Sequence, residues 1–322
     1  MKRINKKYIK KAVKIFGNVI SILSIAFIIR AVMVLGFDFS TVTNWPMFIG
    51  IVVLCSLAKG VTVFMSGTAW YRWLCFFSKK KASRKEALRV YSKANIGKYL
   101  PGNVMHYVER NLFAGKLGIS QKKLAISSLM EVFTLASSAT LLALVLSASS
   151  FVSAVQKIIE KIGIYTVAII FAAIVVGGAT AVVLLYKRII NILREYSLVD
   201  FVKTLCGNIA LYALVQLVLG LLMVVLFWYM GGETDLKTFG VVISGYIIAW
   251  VLGFIVPGAP GGMGVREMVI TLLLGGVMGQ SMVVTLSIAH RLITIIGDFE
   301  AYWFGIVCLS DKNSAKSEAE ND

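Results

Sequence analysis

Charge, histidine, cysteine and proline are all scarce in this chain of 322 residues, and each scarcity removes a class of protein. Only 15% of the residues are charged against 58% hydrophobic, and the mean hydropathy is +0.82. A soluble domain of this length needs far more polar surface. Two histidines, His106 and His290, are too few imidazoles for a zinc centre. Cys55, Cys75, Cys206 and Cys308 stand apart with no paired spacing, so they read as small hydrophobes rather than a disulfide framework or a metal site. Strand alternation of the outer-membrane barrel kind is absent. Gly258 to Gly264 follows no strand and lacks a Lys-Ser/Thr ending, which argues against a phosphate loop. No cofactor and no metal are expected.

What is present is a succession of apolar runs of 18 residues or more, the mark of a polytopic helical membrane protein. The expected fold is all-α, with seven or eight transmembrane helices in one integral domain over residues 1–309. A disordered polar tail is expected at 310–322. Spans are expected at about 15–37, 47–70, 124–147, 162–186, 205–230, 239–256 and 282–309, with a short helix at 264–276 that decides between seven and eight. The first run is too long for a signal peptide and lacks a small-x-small cleavage site, so it is expected to be retained.

The formal charge of +17 is unevenly spread. Residues 1–14 carry seven Lys/Arg and no acid, and residues 72–98 carry nine against Glu86 alone. Beside apolar spans this pattern follows the positive-inside rule and places the N-terminus in the cytoplasm, and no nucleic-acid partner is expected. Such loops also attract anionic headgroups. Ser83-Arg84-Lys85-Glu86 has the form of a capping box and predicts a helix to about Asn95, lying at the membrane interface.

Proline and glycine gather at two places. Pro257, Gly258, Pro260, Gly261, Gly262 and Gly264 lead into Arg266-Glu267, and upstream Pro101-Gly102 leads into Glu109-Arg110. Unpaired backbone at membrane depth survives only inside protein or beside water, so both breaks predict re-entrant, short-helix segments. Residues 97–140 and 253–300 share the order of Pro-Gly, an Arg/Glu neighbour pair, and a long span with one buried charge: Glu131 in the first, Arg291 in the second. Duplicated broken helices of this kind bracket the substrate site in many transporters. Gly275-x-x-x-Gly279 is expected to let two helices approach closely.

Ionisable residues within spans are expensive and usually face a bundle interior or a cavity. Arg30, Lys59, Glu131, Arg291, Asp298 and Glu300 qualify. Arg30 and Lys59 lie near enough to span ends either to snorkel or to point inward. Arg291 and Asp298 share a helix face, with His290 beside it, whereas Asp298 and Glu300 diverge and make a poor acid/base pair. Either Glu131–Arg291 and Arg266–Glu267 are buried ion pairs fixing the bundle, or Arg110, Arg266 and Arg291 offer guanidinium forks to a phosphate headgroup. In the second case Glu109, Glu131 and Glu267 hold those forks or meet a cationic group.

The run Pro260-Gly261-Gly262-Met263-Gly264-Val265-Arg266-Glu267, the earlier Leu100-Pro101-Gly102 with Glu109-Arg110, and Glu131 resemble the family of the membrane region of lysylphosphatidylglycerol synthase. That region is the flippase half of the bacterial multiple peptide resistance factor. The resemblance covers about residues 10–309. It implies a multi-pass protein of the inner (cytoplasmic) membrane that moves a lipid with a modified headgroup between leaflets, with a part in lipid metabolism and antibiotic resistance. Carried over by position, Glu109, Arg110, Glu131, Arg266, Glu267 and Arg291 would line the substrate route.

Val132 stands where the resemblance implies a basic residue, so altered charge pairing is expected in the first unit. The soluble aminoacyl-transferase domain has no counterpart here, so lysinylation by this chain alone is not expected, and a separate synthase or glycosyltransferase is the implied partner. The expected cargo is an anionic or aminoacylated phospholipid or a lipid-linked sugar. Two other readings stay open: an intramembrane transferase with Glu131, Asp298 or Glu300 as base, and a non-catalytic subunit that positions a synthase.

Overall fold

A computed structural model describes residues 42–79, 82–99, 105–163, 195–232, 235–255 and 264–309, with single positions at 165, 172 and 262. Every regular element among them is helical. The helices are α1 (Trp45–Ser78), α2 (Arg84–Asn95), α3 (Met105–Phe113), α4 (Gln121–Ile162), α5 (Leu198–Tyr229), α6 (Leu236–Ile255), α7 (Val265–Met278) and α8 (Gln280–Val307). Short 3-10 turns, Ile96–Tyr99 and Ala114–Leu117, flank α3. Five helices, α1, α4, α5, α6 and α8, are long and apolar enough to cross a bilayer, the architecture of a multi-pass membrane protein.

Local chemistry sets the ends of these helices. The Asn44 side chain accepts from Met47 N at 3.1 Å and Pro46 follows at the first turn, where its missing N–H costs nothing. Ser83 Oγ accepts from Glu86 N at 3.3 Å, so α2 starts where the capping pattern predicts. Ser197 caps α5 in the same way through Asp200 N at 3.4 Å. Gly279, at φ +83°, is the joint between α7 and α8. At Gly279 itself the expected close helix approach is not found: a Cβ there would meet nothing within 4 Å among the described residues. The glycine supplies a left-handed turn, not a packing surface.

α1 packs on α8, α5, α4 and α2, and α6 packs on α4, α7 and α5. Met223, Phe227, Ile247, Leu274, Leu286 and Ile293 belong to the main core between them. The outward faces stay apolar, with Leu54 71% and Val145 81% exposed, as lipid-facing surfaces require. α2 is drawn inward more than an interfacial helix would be. Its Ala87, Val90, Tyr91, Ser92 and Ala94 are buried, and it contacts α1, α8 and α3.

α1, α4 and α5 run well beyond the hydropathy boundaries, because helices continue past the apolar stretch wherever they stay packed or capped. α4 carries on through the residues expected to form a connector after 147. The first expected span, 15–37, lies outside the described residues, as do nearly all of the fourth, 162–186, and the tail.

Candidate functional site

α1 and α8 cross at two glycines. A Cβ on Gly60 would sit 3.3 Å from the Gly297 carbonyl oxygen, and one on Gly297 only 2.5 Å from that of Ser56. This close approach brings the neighbouring residues, Lys59 and Asp298, into contact at 2.7 Å. Asp298 is fully buried and collects three more donors. Lys98 Nζ lies at 2.6 Å, Asn95 Nδ2 donates at 2.8 Å, and the Tyr99 hydroxyl donates at 2.5 Å. Asn95, Lys98 and Tyr99 follow one another at helical spacing, so a single face of the chain before the Pro101-Gly102 segment is fastened to α8. Lys59 therefore points inward; the snorkelling alternative does not hold for it. Burial, joined by the charges of Lys59 and Arg266, brings the Lys98 ammonium down to about 8 against the pull of Asp298, so it stays protonated at neutral pH.

The first Arg/Glu pair divides its work. Arg110 on α3 reaches Glu131 on α4, and both side chains are 2% exposed. The Tyr91 hydroxyl donates to the other Glu131 oxygen at 2.8 Å. The guanidinium carbon lies 4.2 Å from the centroid of Tyr91, 5.1 Å from Tyr107 and 5.2 Å from Trp70, a three-ring enclosure. Glu109 turns the other way, against Gly97, where a Cβ would come within 2.8 Å of its carboxylate. One of its oxygens is buried with no hydrogen-bond partner among the described residues. Burial pushes the Glu109 carboxyl up to about 7, against the pull of Lys93.

The second pair divides in mirror fashion. Glu267 on α7 bonds to Arg291 on α8, while its other oxygen accepts from Gly264 N at 2.7 Å and so caps α7. These side chains are more open, at 11% and 10% exposed. Arg266 holds no carboxylate among the described residues. Its guanidinium lies 5.6 Å from the Trp250 ring centroid, and its Nε is buried without a hydrogen-bond partner. A Cβ at Gly253 or at Gly262 would fall 2.6 Å from this side chain, so both glycines are seats for it. Gly262 and Gly264 also have φ values of +75° and +81°, which glycine adopts without strain.

The three charge groups converge on one cavity of about 170 Å³. Its lining includes Lys59, Lys98, Glu131, Arg266, Glu267, Arg291 and Asp298, with Tyr99, Tyr246 and Trp250 as aromatic walls. His290 also faces it, its Nε2 3.0 Å from the Leu219 carbonyl oxygen.

Of the residues expected at the site, Glu131, Arg266, Glu267 and Arg291 line the cavity, and Arg110 stands behind Glu131. Glu109 is not in the lining. The expected pairs Glu131–Arg291 and Arg266–Glu267 are not the ones formed; each buried span charge is met instead by the short helix that precedes it. Pro101, Gly102, Pro257, Gly258, Pro260 and Gly261 lie outside the described residues. Sequence reasoning missed Lys98, Asn95, Tyr99, Tyr91 and Trp250. The i, i+3, i+4 polar face of Asn95, Lys98 and Tyr99 was the available signal.

Among the described residues, no group of three or more His, Cys, Asp or Glu is placed to hold a metal ion. Compared with known proteins, the sequence matches no family model and no curated relative.

Proposed function

We propose that the protein is a membrane transporter of flippase type, carrying the headgroup of a phospholipid or lipid-linked molecule between leaflets. The observation that carries this reading is the charged cavity enclosed by helices whose outer faces are apolar. Ionisable side chains at membrane depth mark substrate pathways. The cavity also lies where the two short-helix units meet, the usual place for a transporter site. The resemblance to the membrane region of lysylphosphatidylglycerol synthase points the same way. We place the chain in a cell membrane, crossing seven or eight times, with its basic N-terminus on the cytoplasmic side. With no nucleotide loop in the sequence, movement would draw on a gradient or on consumption of the lipid at its destination.

A transferase is the weaker reading, because its best candidate bases are already engaged. Glu131 takes Tyr91 on one oxygen and Arg110 on the other, and Asp298 takes Lys59 and Asn95 on one and Lys98 and Tyr99 on the other, so neither has an oxygen left to receive a substrate proton.

Reconstitution in vesicles that carry a fluorescent phospholipid tests the transport reading. Chemical bleaching of the outer leaflet should proceed past the outer half of the label only when protein is present. Arg291→Ala, which opens the cavity-facing pair, should slow that second phase. Exchange no faster than in protein-free vesicles sinks the proposal.

A further inference from the structure

The cavity is unbalanced in charge. Lys59, Lys98, Arg266 and Arg291 line it, and Arg110 stands against Glu131. These five cations face only three carboxylates, Glu131, Glu267 and Asp298. Glu109 sits against Gly97 and Glu300 accepts from Ser56 Oγ at 2.8 Å, and neither is in the lining. The segments nearest the two short-helix units that lie outside the described residues, 100–104 and 256–261, contain no ionisable side chain. Among the described residues the excess is therefore two positive charges in a low-dielectric enclosure, where uncompensated charge is costly.

The excess has an address. Asp298 is shared by two lysines at 2.6 and 2.7 Å, so one ammonium there lacks a carboxylate of its own. Among the described residues Arg266 has none, and its buried Nε, also without a partner there, leaves a hydrogen-bonding site open. Its side chain is nonetheless held in place by Gly253, Gly262 and the Trp250 ring. A fixed guanidinium with an unpartnered Nε, lining the same cavity as a lysine with charge to spare, is the arrangement that receives phosphate oxygens. The carboxylates offer no counterpart for an ammonium, since each already carries a cation.

We infer that the cavity takes a compact, doubly negative phosphate group, a phosphomonoester or diphosphate, with Arg266 as its anchor and Lys98 and Lys59 as the second point of attachment. This rests on the transport reading and narrows it. The cargo is a lipid with a terminal phosphate, and a cationic aminoacylated headgroup is disfavoured. A terminal phosphate is largely dianionic at neutral pH, its second pKa being about 6.

Two measurements on the purified full chain test this. In vesicles, leaflet exchange of acyl-labelled phosphatidic acid should exceed that of lysyl-phosphatidylglycerol by at least about tenfold, the scale of a like-charge penalty in a confined site. Equal or faster exchange of the lysyl lipid overturns the inference while leaving transport intact. In detergent, short-chain phosphatidic acid should raise the melting temperature. Arg266→Gln should weaken its binding roughly ten- to a hundredfold, as expected for one charge-assisted contact, with Arg266→Lys intermediate. Inorganic pyrophosphate alone should compete if the phosphate group carries recognition, and stabilisation by pyrophosphate equal to that by the lipid would assign the site to a free anion of the same chemistry. Binding without exchange leaves the anion site standing and removes the transport reading. Absence of stabilisation by either ligand, or binding unchanged in Arg266→Gln, overturns the site.

Discussion

Arg110 and Arg266 hold matching places in the two short-helix units, each beside a glutamate and each ahead of a long helix whose first half carries one charge at membrane depth, Glu131 or Arg291. Their surroundings are opposite. Arg110 is sealed by Glu131 and three aromatic rings and is 2% exposed. Arg266 has one ring, two glycines beneath it and no carboxylate among the described residues. In the first unit the arginine makes the bond to the long helix and the glutamate is left over. In the second the glutamate makes the bond and the arginine is left over. Reversing the sign of the span charge, Glu131 against Arg291, is enough to decide which neighbour pairs with the long helix and which is left without such a bond.

The comparison breaks most visibly at the sealed pair. Arg110→Gln leaves Glu131 buried without its cation, and such losses cost about 3–5 kcal/mol. Arg266→Gln removes a charge with no carboxylate to orphan, so its thermal stability should stay within about 1 kcal/mol of the parent or rise. Thermal denaturation of both variants in one detergent checks the contrast; equal losses would mean that the two arginines do the same job.

Asp298→Asn should cost less, about 2–3 kcal/mol. It keeps one of the two acceptor oxygens to which Asn95 and Tyr99 separately donate, while leaving Lys59 and Lys98 without a counter-charge. The same variant should also tighten anion binding, because the excess positive charge grows. Unchanged affinity for short-chain phosphatidic acid would separate the lysines from the ligand site.

The smallest effect concerns the other leftover group. Glu109 holds its proton up to about 7 in the folded protein, against an ordinary value of 4.5. The folded state therefore binds more protons than the unfolded chain between those values, and stability should fall as pH rises through that window. Glu109→Gln should flatten this slope in melting temperature against pH. A slope unaltered by the substitution would assign it elsewhere.

Much of the architecture is readable in the sequence. Hydropathy located the five long helices, since an 18-residue apolar run is a local property. Ser83 marked the start of α2 because a cap is made within four residues. Glu131 and Arg291 were recognisable as buried charges for the same reason. The role of Gly279 is not legible in the sequence, because a glycine that turns and a glycine that packs look alike until φ is known. Sequence does not decide where Lys59 points, because its partner lies 239 residues away on another helix.

The sequence by itself therefore determined that the chain is a helical membrane protein with charges where lipid would forbid them. Apolar length and local capping require nothing beyond neighbours along the chain. Only the tertiary structure decided which charges pair with which, because ion pairs between helices depend on crossings such as Gly60 on Gly297. That step joined three charge groups into one cavity, put Glu109 outside it, and left Arg266 open toward it.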